Sequence, residues 1–528
     1  MILVHQIRLP MQAAPQQAVH RAFKKLKLAP AQVQWAQIHK VSVDARRGQP
    51  QFVYSVALAL QTQQQENKYD GLGAAIQLVR PQPFLPLPGN QPLPGPVVVC
   101  GLGPAGLFAA LELAEAGFAP LVLERGPDMQ TRTQVVKNFE QGEELDENAN
   151  IQFGEGGAGT FSDGKLVTRI KDPLCSRVTQ RLLQAGAPED IGYRQKPHIG
   201  TDLLQDVFVA LRQKLIAMGG QVLFNTQLTG LVQKSGRLVG VKTTAGQLPC
   251  GVLVLAVGHS ARDTFAQLRQ EKVTLEAKPF SVGFRIEHLQ SEIEKGLYHE
   301  AAGHPALPAG EYQLATHIGG RGVYTFCMCP GGSVVAAASA RGTVVTNGMS
   351  LHARSGPNAN AAVVAGVTPQ DFGDDPFKAI AFQQQLEAAA YTAGGGNYAA
   401  PAETLGSFLE DRGKLELNRV LPTYPRGVTP ANLGNLLPQN LTAALRTGLR
   451  QFGNKLPGFT VPDAVLTGLE TRTSSPVRIP RAQTLQSAEV EGLWPCGEGA
   501  GYAGGIMSAA TDGVRVAKAI IEQYKPAK

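Results

Sequence analysis

The chain has 528 residues, of which 43% are hydrophobic and 17% charged, a composition typical of a globular protein with two or three domains. Its formal net charge of +7 arises entirely within residues 1–96, where ten basic residues accompany three acidic ones. No apolar run is long enough to cross a membrane, and residues 1–10 lack the charged-then-apolar order of a signal peptide. The six cysteines include no CxxC pair and do not indicate a disulfide framework. We therefore expect a cytoplasmic protein.

The first part of the chain has the pattern of a small α+β module. Strand patterns at 2–9, 37–43 and 52–60 and a helical pattern at 18–28 predict a ferredoxin-like arrangement. Its basic charge suits an acidic partner or nucleic acid.

Two aromatic residues of this module allow two interpretations. Phe52 and Tyr54 would share one face of their strand beside Arg46 and Arg47, as the stacking aromatics of an RNA-recognition module do. Alternatively, both face the core behind a solvated basic rim. The glycines and third aromatic of the RNA signature are missing, which favours the core interpretation.

The central motif is VVVCGLGPAGLFAALELAEAGFAPLVLERG, residues 97–126. Its pattern predicts an apolar strand at 97–100, a glycine turn, a helix and a second strand at 121–123 that ends in Glu124. Gly101 permits the turn, Gly103 lets a pyrophosphate approach the backbone, and Gly106 lets the helix pack on the strand. The helix N-terminus favours phosphate, and Glu124 can accept both ribose hydroxyls of an adenosine. The stretch therefore predicts a dinucleotide-binding site.

A second glycine cluster, GEGGAGTFSDGKL, occupies residues 154–166. Gly159-x-x-x-x-Gly164-Lys165 matches a P-loop until Leu166, where Ser or Thr would be needed to hold Mg²⁺, and no apolar strand precedes it. We therefore reject a P-loop and predict a glycine-lined surface that a flat cofactor can approach closely.

Short strands in residues 219–245 and a buried strand at 252–257 complete the pattern of a nucleotide-binding domain. The second strand leads into AVGHSARDT. His259 within that block is either catalytic or held by loop backbone, and the second role is the commoner one.

Residues 278–466 mix strand patterns at 281–286, 323–329 and 333–338 with irregular loops and a helix at 377–390, as a substrate domain does.

Cys327 and Cys329 in this region would project from one face of a strand. A disulfide between them would be strained, and no histidine cluster completes a metal site, so we predict no bound metal. Two buried apolar cysteines are expected, and a thiol beside the reacting cofactor is the alternative.

The last motif is LWPCGEGAGYAGG, residues 493–505, followed by a helical pattern at 506–522. Glu498 can hold a polyol chain. The helix behind the Gly504-Gly505 turn can direct its N-terminus at a ring carbonyl of a cofactor.

The chain resembles the bacterial FAD-dependent dehydrogenase family, whose members have a glutathione-reductase-type FAD domain behind an N-terminal ferredoxin-like module. The resemblance rests on ordered blocks along nearly the whole chain: GLGPAGLFAALELAEAG (101–117), FGEGGAGTFSDGKL (153–166), KPHIGTD (196–202), AVGHSARDT (256–264), KPFSVGFRIEH (278–288), YTFCMCPGG (324–332), ETRTSSPVRI (470–479) and PCGEGAGYAGGIMSAATDG (495–513).

The resemblance implies FAD rather than NAD at the first motif, with adenine and ribose near Glu124 and the pyrophosphate at 101–106. The ribityl chain would meet Glu498, where many related flavoproteins have Asp, and the isoalloxazine would meet the Gly504-Gly505 turn. The residues expected to contact FAD are Gly101, Gly103, Pro104, Ala105, Gly106, Glu124, Arg125, Gly157, Gly159, Ser162, Gly164, Leu228, Ala256, Gly258, Gly497, Glu498, Gly504, Gly505 and Ile506.

The expected fold is α/β, a Rossmann-like FAD/NAD(P)-binding domain of the glutathione-reductase type with an inserted α+β substrate domain and an N-terminal ferredoxin-like module. Residues 1–80 form the basic module, and the proline-rich stretch 81–96 is a stiff linker. The FAD domain is discontinuous, 97–277 and 467–528, and 278–466 is the substrate domain.

We expect an FAD-dependent oxidoreductase that transfers hydride between FAD and an unidentified, anionic small molecule. The chain has no second strand-bound GxGxxG, so NAD(P)H would dock only transiently as electron donor. The alternatives are an RNA-associated or RNA-modifying flavoprotein and a non-catalytic flavin-binding scaffold. Candidate substrate-site residues are Lys196, His198, Asp202, Arg472, Arg478 and Tyr502. The two arginines are included because a guanidinium can donate two parallel hydrogen bonds to an anion. A structural salt bridge would explain either arginine equally well.

Overall fold

The computed structural model describes residues 1–46, 49–80, 84 and 86–526. The N-terminal module contains β1 (Ile2–Pro10), α1 (Gln16–Leu26), β2 (Val33–Asp44), β3 (Gln51–Leu60), α2 (Gln63–Asn67) and β4 (Ile76–Leu78). Its sheet is antiparallel, in the order β2-β3-β1-β4. Helix α1 covers one face with Ala18, Ala22 and Leu26, which recur at helical spacing.

This module is bonded to the rest of the chain at the edge of its sheet. The N–H of Val41 in β2 donates to the carbonyl of Tyr193 at 2.8 Å, and the N–H of Gln195 donates to the carbonyl of Val41 at 2.8 Å. An edge strand has free backbone groups that can pair with another segment. Segment 193–195 takes that place.

The predicted linker, residues 81–96, includes 81–83 and 85, which lie outside the described residues. Its later part runs beside the end of the final helix: the N–H of Gly89 donates to the carbonyl of Ile521 at 2.8 Å, and Lys525 donates to Gln91 at 2.9 Å. A Cβ on Gly89 would lie 2.3 Å from the carbonyl oxygen of Gln523, so this close approach requires glycine.

The nucleotide-binding pattern corresponds to β5 (Val97–Cys100), α3 (Pro104–Glu115), β6 (Leu121–Leu123), α4 (Met129–Glu140), α5 (Leu174–Gln184), α6 (Thr201–Ala217), β7 (Gln221–Leu223), β8 (Leu228–Lys234), β9 (Arg237–Thr243), β10 (Gly246–Pro249), β11 (Val252–Leu255) and α7 (Arg262–Gln270).

The following region contains β12 (Glu276–Ala277), β13 (Phe280–Leu289), α8 (Gln290–Tyr298), β14 (Ala315–Ile318), β15 (Arg321–Cys329), β16 (Ser333–Ala336), β17 (Thr346–Met349), β18 (Asn358–Val367), α9 (Pro369–Phe372), α10 (Pro376–Ala393), β19 (Ala400–Thr404), α11 (Leu405–Leu409), β20 (Val428–Pro430), α12 (Gln439–Lys455) and β21 (Val465–Glu470). The chain continues with β22 (Val477–Arg478), β23 (Leu493–Pro495) and α13 (Ile506–Gln523).

A parallel sheet in the order β23-β11-β5-β6-β7 lies at the centre of the nucleotide-binding part. Both faces are covered, which explains why β5 is apolar throughout. Val97 and Val99 pack toward α3 and α13, whereas Val98 and Cys100 pack with residues of β8 and β9. The two helices approach closely because a Cβ on Gly513 would lie 2.1 Å from the carbonyl oxygen of Ala105.

The inserted region is built on a seven-stranded sheet in the order β14-β15-β18-β13-β21-β19-β20. Its pairs are antiparallel except for β19 with β20. The expected domain boundary between residues 466 and 467 falls inside β21, which pairs with β13 and β19, so residues 465–470 belong to this sheet.

Within the described ranges, each helix is too short or too polar to cross a bilayer. All six cysteines lie in these ranges and are free thiols.

Candidate functional site

The glycine segments singled out in the sequence meet at the carboxyl ends of β5, β11 and β23. Gly101 has φ +100°, and a Cβ there would lie 2.3 Å from the carbonyl oxygen of Ala256. A Cβ on Gly106 would lie 1.9 Å from the carbonyl oxygen of Gly101, so helix α3 can start only if residue 106 lacks a side chain. The carboxyl edge of a parallel sheet is where α/β proteins bind ligands.

The second and third glycine segments reach the same place. A Cβ on Gly157 would lie 3.1 Å from the Cα of Gly103, and one on Gly159 would lie 2.8 Å from Cγ1 of Ile506. The loop after α4 therefore lies between the N-termini of α3 and α13.

Glu124 connects these loops through hydrogen bonds to their backbone. Its carboxylate is buried and accepts backbone hydrogen bonds from Leu102 at 2.8 Å, Gly126 at 3.0 Å and Gly154 at 3.1 Å. A carboxylate can accept about four hydrogen bonds, and three are already made here. Glu124 can therefore accept from about one ribose hydroxyl, whereas the sequence predicted that it would accept from both. The neighbouring Arg125 pairs with Asp263 at 2.6 Å.

Two buried residues that the sequence analysis did not select hold the loop in place. Arg132 donates to the carbonyl oxygens of Asn150 at 3.0 Å and Ile151 at 2.9 Å, and to two further carbonyls of the same loop, those of Glu155 and Gly157. The carboxylate of Glu155 accepts from the backbone of Met129 at 2.8 Å and from Arg212 at 2.6 Å. No sequence pattern marks a helix residue whose hydrogen-bond partners lie in a loop about twenty positions further along the chain.

The lysine of the rejected P-loop points away from the glycines. Lys165 is paired with Glu311 at 2.9 Å, and Ser162 donates to the carbonyl of Gly159 at 2.6 Å while accepting from the backbone of Gly164 at 3.1 Å. These bonds hold the loop itself and give no phosphate site around the lysine.

Glu498, His259 and Lys278 form a partly buried titratable group beside the last glycine segment. Nδ1 of His259 lies 3.8 Å from Oε1 of Glu498. Burial raises the pKa of Glu498 to about 7, although the positive charge of Lys278 acts to lower it. Burial and nearby positive charge lower the pKa of His259 to about 3, and burial lowers that of Lys278.

His259 differs from the expectation that loop backbone would satisfy it. Its Nε2 is buried and has no hydrogen-bond partner among the described residues. A buried polar atom without a partner is costly, so an unpaired nitrogen at this edge suits a bound group that completes it. Lys278 was missed, although it opens one of the blocks behind the family resemblance.

Arg472, one of the candidate anion-binding residues, is engaged within the protein. It donates to Glu387 through Nε and Nη2, each at 3.1 Å, and through Nη1 to Ser260 and Ser339. These contacts match the alternative interpretation of this arginine, a structural salt bridge in place of an anion-binding site.

Arg478 differs from Arg472 because it is exposed. Its guanidinium lies over the ring of Tyr502, 5.3 Å from the ring centre, while Arg481 covers the ring at 3.8 Å. The Tyr502 hydroxyl accepts from the backbone of Arg481 at 3.2 Å.

The other candidates lie together around segment 350–354. The ring of His198 stacks on that of His352 with centres 5.2 Å apart, and Nε2 of His198 contacts the carbonyl oxygen of His352 at 3.0 Å. Asp202 accepts from the backbone of His352 at 2.8 Å. Lys196 pairs with Glu311 at 3.0 Å. In the described ranges no three His, Cys, Asp or Glu side chains cluster as metal ligands.

The parallel sheet and its converging glycine loops define a dinucleotide-binding protein. Residues 279–473 match the family described as "FAD-dependent protein, C-terminal domain-like", and residues 1–59 match a domain of unknown function, DUF8436. An uncharacterized protein of Clostridium beijerinckii is 48% identical over 439 residues, 83% of this chain and 82% of its own length. The chain belongs to the same family as that protein, a family of FAD-dependent proteins, and its cofactor is FAD.

Among solved structures, glycine oxidase from Bacillus cereus is 11% identical with a TM-score of 0.33 (81% of this chain, 94% of that one), and L-proline dehydrogenase from P. horikoshii is 12% identical with a TM-score of 0.33 (81% and 93%). CtdE in complex with FAD is 12% identical with a TM-score of 0.32 (81% and 83%). At this level the likeness defines neither substrate nor reaction.

The residues at the site fit FAD. Cβ atoms on Gly258, Gly504 and Gly505 would meet no atom within 4 Å, and the nearest atom to one on Gly103 would be 3.7 Å away. Bare backbone is thus left open toward the site at both helix N-termini. The carboxylate of Glu498 and the unpaired nitrogen beside it supply polar partners that a cofactor needs.

Proposed function

We propose that this protein is an FAD-dependent oxidoreductase whose FAD lies across the carboxyl edge of the parallel sheet. The observation that carries the proposal is the meeting of the glycine segments 101–106, 157–159, 256–258 and 497–505 at one edge, with two helix N-termini between them. This arrangement supports a glutathione-reductase-type FAD domain. The inserted seven-stranded sheet then supplies the substrate domain.

In this proposal the pyrophosphate lies at the N-terminus of α3, which Gly103 leaves unobstructed. Glu124 orders the loops around the adenosine, and Glu498 receives the ribityl chain. Bound FAD would supply two-electron hydride chemistry. The N-terminus of α13, which begins after Gly505, provides the positive dipole end that favours negative charge on the ring.

The substrate side offers Arg478 as the anion-binding residue, in place of Arg472. Arg478 is exposed and has no carboxylate partner within the described part of the chain, whereas four of the five N–H groups of Arg472 are donated to Glu387, Ser260 and Ser339. Tyr502 orients Arg478 by contact with its ring face. A small anionic substrate is therefore the class we propose. NAD(P)H would dock transiently, since the sequence contains one fingerprint.

The strand order β2-β3-β1-β4 supports a ferredoxin-like N-terminal module. The RNA-associated alternative loses its aromatic platform, because Tyr54 is only 4% exposed and packs in the core of the module. Arg46 is paired with Asp44 at 2.9 Å, and Arg47 lies outside the described residues. We therefore do not propose RNA binding.

The test is an anaerobic visible spectrum of the purified protein before and after addition of NADH or NADPH. A flavin band that bleaches with one nucleotide supports a nicotinamide-driven reductase. A flavin band that responds to neither nucleotide, but bleaches with a small organic anion, supports a substrate dehydrogenase. A protein without flavin, which takes up none on incubation with FAD, would contradict the proposal.

A further inference from the structure

Cys327 and Cys329 lie at an irregularity in β15. The register between β15 and β18 shifts between Phe326 and Cys329, and Cys327 has φ +43°, in the left-handed region that disfavours residues other than glycine. A left-handed residue in a strand marks a bulge that redirects a side chain. Here the Cys329 thiol donates to the carbonyl oxygen of Cys327 at 3.3 Å, so it lies against the backbone of the bulged residue.

The two cysteines have unequal surroundings. Cys327 is partly exposed, whereas Cys329 is buried. The fully buried Arg285 donates to the carbonyl of Cys327 at 2.9 Å. The ammonium of Lys165 contributes further positive charge at both thiols.

Each acidic group nearby is itself paired with a basic side chain. Glu470 binds Arg285 with two hydrogen bonds, 3.0 and 2.6 Å, Asp163 is held by Arg354, and Glu311 pairs with Lys165 at 2.9 Å. The neighbouring Cys329 thiol, together with the positive charges of Arg285 and Lys165, lowers the pKa of Cys327 to about 7. The pKa of Cys329 is raised well above its ordinary value.

The other cysteines lack these features. Burial raises the pKa of Cys100 and of Cys250 to about 12, and that of Cys496 is also raised. Cys175 is partly exposed, and its thiol contacts the Thr511 hydroxyl at 3.5 Å. An accessible thiol held beside a buried second thiol is the arrangement of an attacking and a resolving cysteine.

We propose that Cys327 and Cys329 form a redox-active dithiol that exchanges with organic disulfides, Cys327 being the nucleophile and Cys329 the resolving thiol. This activity goes beyond the proposed flavin chemistry and does not depend on it.

The exchange takes place in two steps. The Cys327 thiolate attacks one sulfur of the disulfide, whose S–S bond breaks; a mixed disulfide forms, and the leaving thiolate takes a proton from solvent. Cys329 then loses its proton to solvent and attacks the Cys327 sulfur, which releases the second thiol and leaves a Cys327–Cys329 disulfide. The two protein thiols are oxidised by two electrons and the organic disulfide is reduced to two thiols. The strain expected of a disulfide between these two residues makes it easy to reduce, so excess thiol reverses both steps.

The experiment treats the full-length, FAD-loaded protein with oxidised glutathione at pH 7 and identifies the products by intact mass and peptide mapping. The wild type is expected to lose two hydrogens through a Cys327–Cys329 disulfide. C329S is expected to retain one glutathione on Cys327, because the resolving thiol is absent, and C327S to gain none. C175S, the matched control at the other partly exposed cysteine, should behave as the wild type. The flavin spectrum, recorded in parallel, reports separately on the proposed function.

A second measurement uses only the wild type, so that a variant that fails to fold does not decide the outcome. Iodoacetamide is expected to alkylate Cys327 about ten times faster than Cys175 at pH 7, since the thiolate is the reactive form. Equal alkylation rates, glutathione bound to folded C327S, or no mixed disulfide in folded C329S would overturn the proposal.

Discussion

Arg472 donates two hydrogen bonds, each of 3.1 Å, to the carboxylate of Glu387, which is completely buried. Arg262 approaches the same carboxylate at 2.8 and 2.9 Å, and the Thr471 hydroxyl donates at 2.9 Å. The network joins α7, α10 and the segment after β21, so it links the nucleotide-binding part to the inserted sheet. The adjacent arginines hold the pKa of Glu387 far below its usual range.

The two candidate arginines should therefore respond differently to substitution. Arg472→Met is expected to lower the free energy of unfolding by about 3 kcal/mol, because it removes one partner of a buried ion pair. Arg478→Met, the matched control at an exposed position, should change it by about 0.5 kcal/mol or less. Thermal unfolding of both variants measures this. Equal destabilisation by the two would contradict the structural role of Arg472.

Gly103 and Gly106 provide a separate test of the FAD site. Gly103→Ala is expected to leave the fold intact, since the nearest atom to a Cβ there would be 3.7 Å away, but to reduce FAD affinity more than about tenfold, or 1.4 kcal/mol, by obstructing the pyrophosphate. Gly106→Ala should instead destabilise the protein, because its Cβ would lie 1.9 Å from the carbonyl oxygen of Gly101. Flavin content and thermal unfolding, measured together, distinguish the two effects. Full flavin occupancy in Gly103→Ala would show that the pyrophosphate does not lie beside Gly103.

The raised pKa of Glu498 predicts a pH dependence of stability in the FAD-free protein. The folded state binds a proton up to about pH 7, whereas the unfolded carboxyl releases it near its usual value of 4.5. The contribution of Glu498 to stability therefore falls as pH rises from about 4.5 to about 7, by up to about 3 kcal/mol.

Glu498→Gln removes this contribution and isolates it from His259, whose lowered pKa acts in the opposite direction. The variant should match the wild type near pH 4.5 and be the more stable protein at pH 7. Urea unfolding at several pH values measures the difference. A difference that does not change with pH would show that Glu498 titrates normally.

One of the two hydrogen bonds between Val41 and segment 193–195 can be deleted without disturbing the N-terminal sheet. Val41→Pro deletes an N–H that points away from the sheet, and proline is tolerated on an edge strand. Amide exchange at Gln195 and tryptic cleavage after Arg194 should both become faster. Val43→Pro, two residues along the same edge, is the control and should change neither. Unchanged exchange at Gln195 in Val41→Pro would mean that the contact does not hold the segment.

Local patterns predicted the nucleotide-binding unit well. The strands expected at 97–100 and 121–123 are β5 and β6, and the helix expected at 506–522 is α13, because each has a periodic apolar pattern bounded by glycine. The alanine-rich strand β18 was not predicted, since alanine favours strands weakly. Helix α12 was missed although Leu441, Leu445 and Leu449 recur at helical spacing.

The partners of the site residues could not be predicted in this way. Glu387 lies 85 positions from Arg472, and nothing in either neighbourhood specifies the other. The same holds for Arg132, whose acceptors are backbone carbonyls that any sequence would provide. Long-range pairs are fixed by how sheets and helices assemble, and one sequence carries no record of that assembly.

The central sheet also has a consequence for biosynthesis. Strand β11 ends at residue 255, but its outer neighbour β23 begins at residue 493, so the ribosome must add about 240 residues before that edge is paired. At about 5–20 residues per second this takes on the order of 10 to 50 s. During this time an apolar edge strand is available to other chains, so chaperone supply and translation rate should govern the soluble yield. At the proposed site, FAD would be captured only after synthesis has passed α13.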